Sequence, residues 1–288
     1  MKEITVISGK GGTGKTTVTA ALASLAEKAV MCDCDVDAAD MHLIFPPQII
    51  EKNIFVGAQE ITIDADTCIH CGLCISHCRF DALFSSESGT IEVDEYACEG
   101  CRLCERICPT EAITSAPSLK NEWFVSKTRM GYMVHAKMAP GEENSGKLVS
   151  VVRQKTKELG KIEHLNYIIN DGPPGIGCAA IASLTGADKA LLVIEPTVSG
   201  FHDAKRLFEL IEQFKIEAFV VINKYDIHLE NTIKIEHYFE NKNAPVLAKI
   251  PFDKNVVEAM VEGKTMIEYQ PQSVFSKEIE KVWETLKK

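Results

Sequence analysis

Residues Gly9-Lys10-Gly11-Gly12-Thr13-Gly14-Lys15-Thr16 follow directly on the apolar run Ile4 to Ile7, and this junction constrains the fold more than any other stretch. The pattern G-x-x-x-x-G-K-[ST] grips phosphate when it joins a strand to a helix. Its glycines let backbone N–H groups turn inward around phosphate oxygens, and the helix N-terminus adds partial positive charge. The helix is supplied by Thr16 to Lys28, which is rich in Ala and Leu. Further strands are predicted at Glu3 to Ser8, Ala29 to Asp33, Asn166 to Asn170, Lys189 to Ile194, Ala218 to Asn223 and Pro245 to Ile250. Helical segments lie between them, among them His202 to Phe214, with Leu207, Leu210, Ile211 and Phe214 at helical spacing. Short apolar strands alternating with helices predict an α/β fold with a mostly parallel sheet covered on both faces.

In such a loop Lys15 reaches the β and γ phosphates of the nucleotide and Thr16 ligates Mg²⁺. Two carboxylates are placed to assist. One apolar strand ends in Asp171-Gly172-Pro173-Pro174-Gly175, where Asp171 would meet metal-bound water. Another ends in Cys32-Asp33-Cys34-Asp35, offering a carboxylate to orient an attacking water. Either aspartate in isolation could equally cap a turn.

On these residues the sequence resembles the deviant Walker A ATPases of the MinD, Mrp and nitrogenase iron protein superfamily. The resemblance runs through Asp171 to Gly175, Glu195-Pro196-Thr197, Asn223-Lys224 and Ile250-Pro251. It implies a P-loop NTPase fold of the SIMIBI class that hydrolyses ATP to ADP with Mg²⁺ and dimerises on ATP. It implies that Lys10 is the signature lysine, which crosses the dimer interface to the partner's phosphates. Asp35 is then the catalytic carboxylate of switch I, Asp40 lies in the same switch, and Asp171 is the Walker B equivalent. Gly9, Gly11, Gly12, Thr13, Gly14, Lys15, Thr16, Thr17, Asn223 and Pro251 hold the nucleotide, Asn223 reading the base. Asn223-Lys224-Tyr225-Asp226 also looks like a guanine-reading N-K-x-D motif, although adenine is the commoner base in this superfamily.

A second feature is an internal repeat. Cys68, Cys71, Cys74 and Cys78 recur as Cys98, Cys101, Cys104 and Cys108, a shift of 30 positions. The flanks recur as well: Ile63-Asp64 as Val93-Asp94, and Asp81-Ala82-Leu83 as Glu111-Ala112-Ile113. Each half follows C-x₂-C-x₂-C-x₃-C, the bacterial ferredoxin spacing, in which three close thiolates hold one 4Fe-4S cluster and the fourth reaches the other. Cluster one would take Cys68, Cys71, Cys74 and Cys108, and cluster two Cys98, Cys101, Cys104 and Cys78. Structural zinc is the alternative, since C-x₂-C pairs also suit tetrahedral Zn²⁺. Cys108 is followed by Pro109 as the pattern expects, whereas Cys78 is followed by Arg79. That cation either favours a reduced, more negative cluster or points to solvent.

The formal charge is −10, with 31 Lys and Arg against 41 Asp and Glu, which argues against nucleic acid as a partner. Met1-Lys2-Glu3 passes straight into Ile4 with no secretory leader, and no apolar stretch approaches the roughly 20 residues of a membrane span. A cytoplasmic protein without stable membrane insertion is expected, in a reducing setting that keeps clustered thiols available as ligands.

Other residues carry weaker signals. Cys178 lies seven residues after Asp171 and is expected to be a buried structural cysteine, the other reading being a ligand near a dimer axis. Cys32 and Cys34 are expected to pack in the core. Residues 140–147 read as a polar loop. Phe275, Ile279, Val282, Trp283 and Leu286 form a helical stripe that is expected to dock on the sheet rather than on lipid, because its polar face mixes Glu with Lys.

The expected organisation is a P-loop ATPase domain, residues 1–59 and 118–288, interrupted by a small α+β ferredoxin-like domain at 60–117. The expected function couples nucleotide state to electron transfer or to iron-sulfur and metallocentre assembly, with a redox or metalloprotein client. The alternative is a positioning or regulatory ATPase that uses the inserted domain for docking.

Overall fold

The computed structural model describes residues 1–139 and 145–288, which fall into two compact units. The first comprises Met1–Lys52, Trp123–Ala136 and Gly146–Lys288; the second comprises Asn53–Glu122 and the described part of Lys137–Ser145. The second unit is therefore wider than the 60–117 expected from the repeat.

The chain opens with β1 (Lys2–Ser8), α1 (Lys15–Leu25), β2 (Ala29–Asp33), α2 (Met41–Ile44) and β3 (Gln48–Phe55). The repeat follows as β4 (Gln59–Ile63), α3 (Leu73–His77), β5 (Leu83–Ser85), β6 (Ile91–Val93), α4 (Leu103–Ile107) and β7 (Ile113–Pro117). Next come β8 (Asn121–Thr128), β9 (Gly131–Lys137), α5 (Ser145–Ile162), β10 (Tyr167–Pro174), α6 (Cys178–Leu184), β11 (Lys189–Ile194) and α7 (Val198–Gln213). The chain closes with β12 (Glu217–Asn223), α8 (Leu229–Glu240), β13 (Val246–Ile250), α9 (Asn255–Val261), α10 (Met266–Tyr269) and α11 (Val274–Leu286).

The sheet has the order β13-β12-β11-β1-β10-β2-β9-β8-β3. From β13 through β9 every neighbouring pair is parallel, with β1 between β10 and β11. Strands covered on both faces need apolar side chains at every position, and β11 is buried throughout. Leu191 and Val193 join one core with α1, α10 and α11, whereas Ala190, Leu192 and Ile194 join the opposite core with α7 and α8. Phe275, Ile279, Val282, Trp283 and Leu286 all lie in the first core, so the C-terminal stripe is a packing face. Among the described residues no helix is long and apolar enough to cross a membrane.

Several local expectations need correction. The strands β3, β8 and β9 were not legible, because β3 alternates exposed with half-buried residues and carries little apolar signal. Helix α7 begins at Val198 rather than His202, since the Thr197 side chain caps it by accepting from Gly200 N–H. Ser145, Gly146 and Lys147, read as loop, form the first turn of α5, and residues 140–144 of that segment lie outside the described residues. Cys178 is exposed, not buried, because it is the first residue of α6 just past the Gly175-Ile176-Gly177 turn. Cys32 and Cys34 are buried as expected, their sulfurs 3.5 Å apart.

The second unit carries the repeat into three dimensions. β4 pairs antiparallel with β7 and β5 with β6, so each strand pair joins the two halves. Asp64 N–H donates to Ala112 O and Asp94 N–H to Ala82 O, both at 2.8 Å and related by the 30-residue shift. The left-handed backbone positions match as well: His70 with Gly100, Gly72 with Arg102, and Asp81 with Glu111. Identical turns at equivalent positions show that the two cysteine loops share one conformation.

Candidate nucleotide site and cysteine cavities

β1 delivers the glycine-rich loop to the N-terminus of α1, which begins at Lys15. Gly14 has φ +88°, and a Cβ there would stand 2.3 Å from Asn223 Nδ2, so both conformation and space require glycine. Asn223, at the end of β12, donates from Nδ2 to Thr13 O at 2.8 Å and thereby ties that strand to the loop. Gly9 is also held to glycine by close packing. It is absent from the cavity lining, and a Cβ there would lie 2.6 Å from the Asp203 carbonyl carbon of α7.

Lys15 Nζ lies 3.0 Å from Asp171 Oδ1 and 3.4 Å from Asp35 Oδ2. Thr16 Oγ1 donates to Asp171 Oδ2 at 2.7 Å, and Thr19 Oγ1 donates to Asp171 Oδ1 at 2.8 Å. Asp33 accepts N–H bonds from Asp35 and Met41. Burial, reinforced by the charge of Asp171, pushes the Asp33 carboxyl well above the usual range despite Lys15. Burial also raises Asp35, against the pull of Lys15. Burial lowers Lys15, but Asp171, Asp35 and Asp33 outweigh it and hold the ammonium above its ordinary value. The ammonium of Lys15 thus stands among carboxyl groups beside a loop whose backbone is built for phosphate.

Lys15, Thr16 and Asp35 border a cavity of about 520 Å³, whose lining does not include Asp33 or Asp171. Gly11, Gly12, Thr13, Gly14, Lys15, Thr16 and Thr17 form its floor; Asp35 and Asp40 stand on one side and Asn223 and Pro251 on another. Thr13 is buried and its Oγ1 has no hydrogen-bond partner among the described residues, an unmet polar atom in the loop that a phosphate oxygen would satisfy. The sequence reading missed the apolar wall made by Phe252, Val256, Val257 and Met260. Its signal was present in the helical spacing of Val256 and Met260 after Pro251. Asp226 lies outside the lining, and its Oδ1 accepts from Phe252 N–H at 2.7 Å. The carboxylate that a guanine-reading motif needs is thus committed to the backbone.

Lys10 also lies outside the cavity lining. Its Nζ is 3.3 Å from Glu195 Oε1 and donates to Thr197 Oγ1 at 2.9 Å. The other oxygen of Glu195 is 2.7 Å from Lys224 Nζ, which in turn donates to Gly12 O at 2.9 Å. Partial burial works to raise Glu195, but the two lysines prevail and hold it below the ordinary carboxylate range. Sequence reasoning gave Glu195 no role beyond the resemblance, since nothing local marks it as the shared partner of two lysines.

In the second unit the cysteines border two cavities. One is lined by Cys78, Cys98, Cys101 and Cys104, with Cys74 also at its edge. The other is lined by Cys68, Cys71, Cys74 and Cys108. The first cavity thus gathers three cysteines of the second half with Cys74 and Cys78 of the first, the second gathers three of the first half with Cys108, and Cys74 lines both. The lining residues correspond under the repeat, but Arg79 occupies the place that Pro109 takes in the second cavity. Burial pushes Cys104 up to about 11 and raises Cys74 and Cys98. Burial also acts on Cys108, but N–H groups of Thr110, Ala112 and Ile113 and the Thr110 hydroxyl bring it below its ordinary value. Among the described residues no three His, Cys, Asp or Glu side chains are grouped as ligands of one metal ion.

Fold and site together define a P-loop nucleotide-binding protein with a mostly parallel α/β sheet. The chain belongs to the CobQ/CobB/MinD/ParA nucleotide binding domain family, whose model matches residues 4–266. An uncharacterized protein of Methanocaldococcus jannaschii is 34% identical over 99% of this chain and 96% of its own length. The septum site-determining protein MinD of Thermotoga maritima is 24% identical over 90% of this chain and 79% of its own length. In fold the chain resembles MinD of Pyrococcus horikoshii, solved with Mg-ADP, with a TM-score of 0.59 and 20% identity, covering 99% of this chain and 95% of that one. It likewise resembles MinD of Aquifex aeolicus in its complex with MinC, with a TM-score of 0.55 and 20% identity over 99% and 96% of the two chains.

Proposed function

We propose that this protein is a Mg²⁺-dependent ATPase of the MinD/ParA type whose second unit holds two 4Fe-4S clusters, and that its nucleotide state governs electron delivery or metallocentre assembly on a client protein. For the ATPase, Lys15 and the backbone of Gly11 to Gly14 take the phosphates. Thr16, backed by Asp171, holds Mg²⁺, and Asp35 orients the attacking water. Asn223 keeps its Oδ1 for an adenine amino group because its Nδ2 is bound to Thr13, and the Phe252, Val257 and Met260 wall covers the base. Adenine is favoured over guanine because Asp226 is engaged by Phe252 N–H. Lys10 acts in an ATP-dependent homodimer.

The observation that supports the cluster reading is that the eight cysteines border two cavities, Cys108 lying with Cys68, Cys71 and Cys74, and Cys78 with Cys98, Cys101 and Cys104, while Cys74 borders both. Such clusters, when bound, accept and donate single electrons. Cys68, Cys71, Cys74 and Cys108 would hold one and Cys78, Cys98, Cys101 and Cys104 the other. The N–H groups around Cys108 favour its thiolate form. Anaerobic purification and reconstitution test this reading. About eight iron and eight sulfide per chain are expected from two four-iron clusters; stoichiometric zinc without charge-transfer absorption would overturn it.

A second reading is favoured by the full-length likeness to MinD proteins: a positioning or regulatory ATPase whose second unit only docks it to a partner. An ATPase rate indifferent to reduction of the clusters, together with partner capture by an Asp35→Ala variant lacking iron, would select it.

A further inference from the structure

The turn between β8 and β9 places Arg129 where three helices end or begin. Its Nη1 donates to Ile44 O, the last residue of α2, at 2.8 Å. Its Nη2 donates to Gly263 O, just past the end of α9, at 2.8 Å. Its Nε and Nη2 grip both oxygens of Glu268, at 2.7 and 2.8 Å. Glu268 closes the capping box of α10 by accepting from Thr265 N–H. The guanidinium also stands over the Phe45 ring, 5.0 Å from its centre. One rigid cation thus meets two helix C-termini, where carbonyl dipoles favour positive charge, and the cap of a third helix.

Of the two helices it joins by their ends, α9 lines the nucleotide cavity, and α2 follows directly on Asp40, which lines it too. Asp40, immediately before α2, lines one side, and Val256, Val257 and Met260 of α9 line the other. Helix α9 has little packing of its own: Ala259 is its single buried residue, and Val257 and Val261 are exposed. Its N-terminal residue Lys254 supplies no side-chain cap. Its N-terminus is tied by Asp253, whose Oδ1 accepts from Asn255 N–H at 2.9 Å, and its C-terminal end is held by Arg129 on Gly263. Met260 packs beside Met41, Ile44 and Phe45, so the α2 side and the base side share one small apolar cluster.

We infer that Arg129 is a positioning residue that fixes the base-side wall of the nucleotide cavity and so sets affinity for the nucleoside part of the ligand, not for its phosphates. This rests on the reading of the cavity as an ATP site. Without Arg129 the α9 wall loosens, whereas the phosphate loop, held by β1, α1 and Asn223, keeps its form.

Isothermal titration with Mg-ATP and with Mg-tripolyphosphate, which has no base, separates the two halves of the site. The Arg129→Gln variant is expected to bind ATP about tenfold more weakly while binding tripolyphosphate as the unaltered chain does. Arg129→Lys, which keeps the charge but loses the two-pronged grip on Glu268, is expected to fall between them and guards against misfolding of the first variant. Unchanged ATP affinity in both variants, or a parallel loss for both ligands, overturns the inference. An unaltered chain that binds neither ligand overturns the nucleotide reading instead.

Discussion

Lys10 and Glu195, 185 residues apart in sequence, are joined within one chain by an ion pair of 3.3 Å, and the same carboxylate holds Lys224. Lys10 is thus kept beside the phosphate loop but outside the cavity that Lys15 enters. The two lysines of one loop therefore have separable tasks. Lys15→Ala is expected to abolish nucleotide binding, since it removes the charge facing the phosphates. Lys10→Ala is expected to leave affinity within about threefold, a change of less than 1 kcal/mol, while abolishing dimerisation and hydrolysis. Fluorescent-nucleotide binding, light scattering and phosphate release measure the three effects; a Lys10→Ala monomer that hydrolysed ATP normally would refute the assignment.

Gly14 and Asn223 make a second pair. A methyl group at Gly14 would collide with the amide that holds Thr13, at a left-handed backbone position. Gly14→Ala is expected to cost about 1–3 kcal/mol of stability from backbone strain and the lost contact and to lower nucleotide affinity sharply. Asn223→Ala frees the space but relieves neither the left-handed strain nor the loss of the bond to Thr13, so the double variant should be no more stable than Asn223→Ala alone and should not regain binding. Chemical denaturation and nucleotide titration of the three variants read this out.

His135, on β9, supplies a pH dependence. Its ring stacks on Phe124 and its Nε2 lies 3.0 Å from Ser126 Oγ, and burial lowers its pKa to about 4. A histidine less basic in the folded chain than in the unfolded one binds protons preferentially when unfolded. Its contribution is complete above about pH 6.5 and is lost as pH falls from there toward 4, up to about 3 kcal/mol. His135→Phe should remove that part of the pH slope in urea melts between pH 7 and 4; an unaltered slope would show that the ring is not the cause.

Nucleotide and clusters are expected to be coupled. The chain leaves the nucleotide-binding unit after Lys52, beyond the Asp35 to Asp40 segment, and returns at Trp123, and the described part of Lys137–Ser145 belongs to the second unit as well. Mg²⁺ with a non-hydrolysable ATP analogue should shift at least one cluster's midpoint potential or its rate of iron loss to a chelator. Linkage then requires reduction to change analogue affinity by the corresponding factor. Identical midpoints, equal chelation rates and redox-independent affinity would together rule coupling out.

Much of the molecule was legible locally. The phosphate loop, the six parallel strands from β1, β2 and β10 to β13, and the repeat of 30 residues each follow from spacing within a short window, because backbone conformation, apolar alternation and ligand spacing are short-range properties. The strand β3 escaped because its apolar residues neither alternate regularly nor form one run, β8 and β9 because their apolar runs, Trp123 to Val125 and Tyr132 to Val134, are short, and Cys178 was misplaced because exposure at a helix start depends on what packs around it.

From local sequence alone came the loop that turns around phosphate and the 30-residue repeat that spaces the cysteines. The tertiary structure alone decided which distant charges meet: Glu195 with Lys10 and Lys224, Asp226 with the Phe252 amide, and Arg129 with the ends of α2 and α9. Such partners are set by how strand ends and helix ends converge in space. A salt bridge spanning 185 residues leaves no periodicity in the chain for a local reading to find.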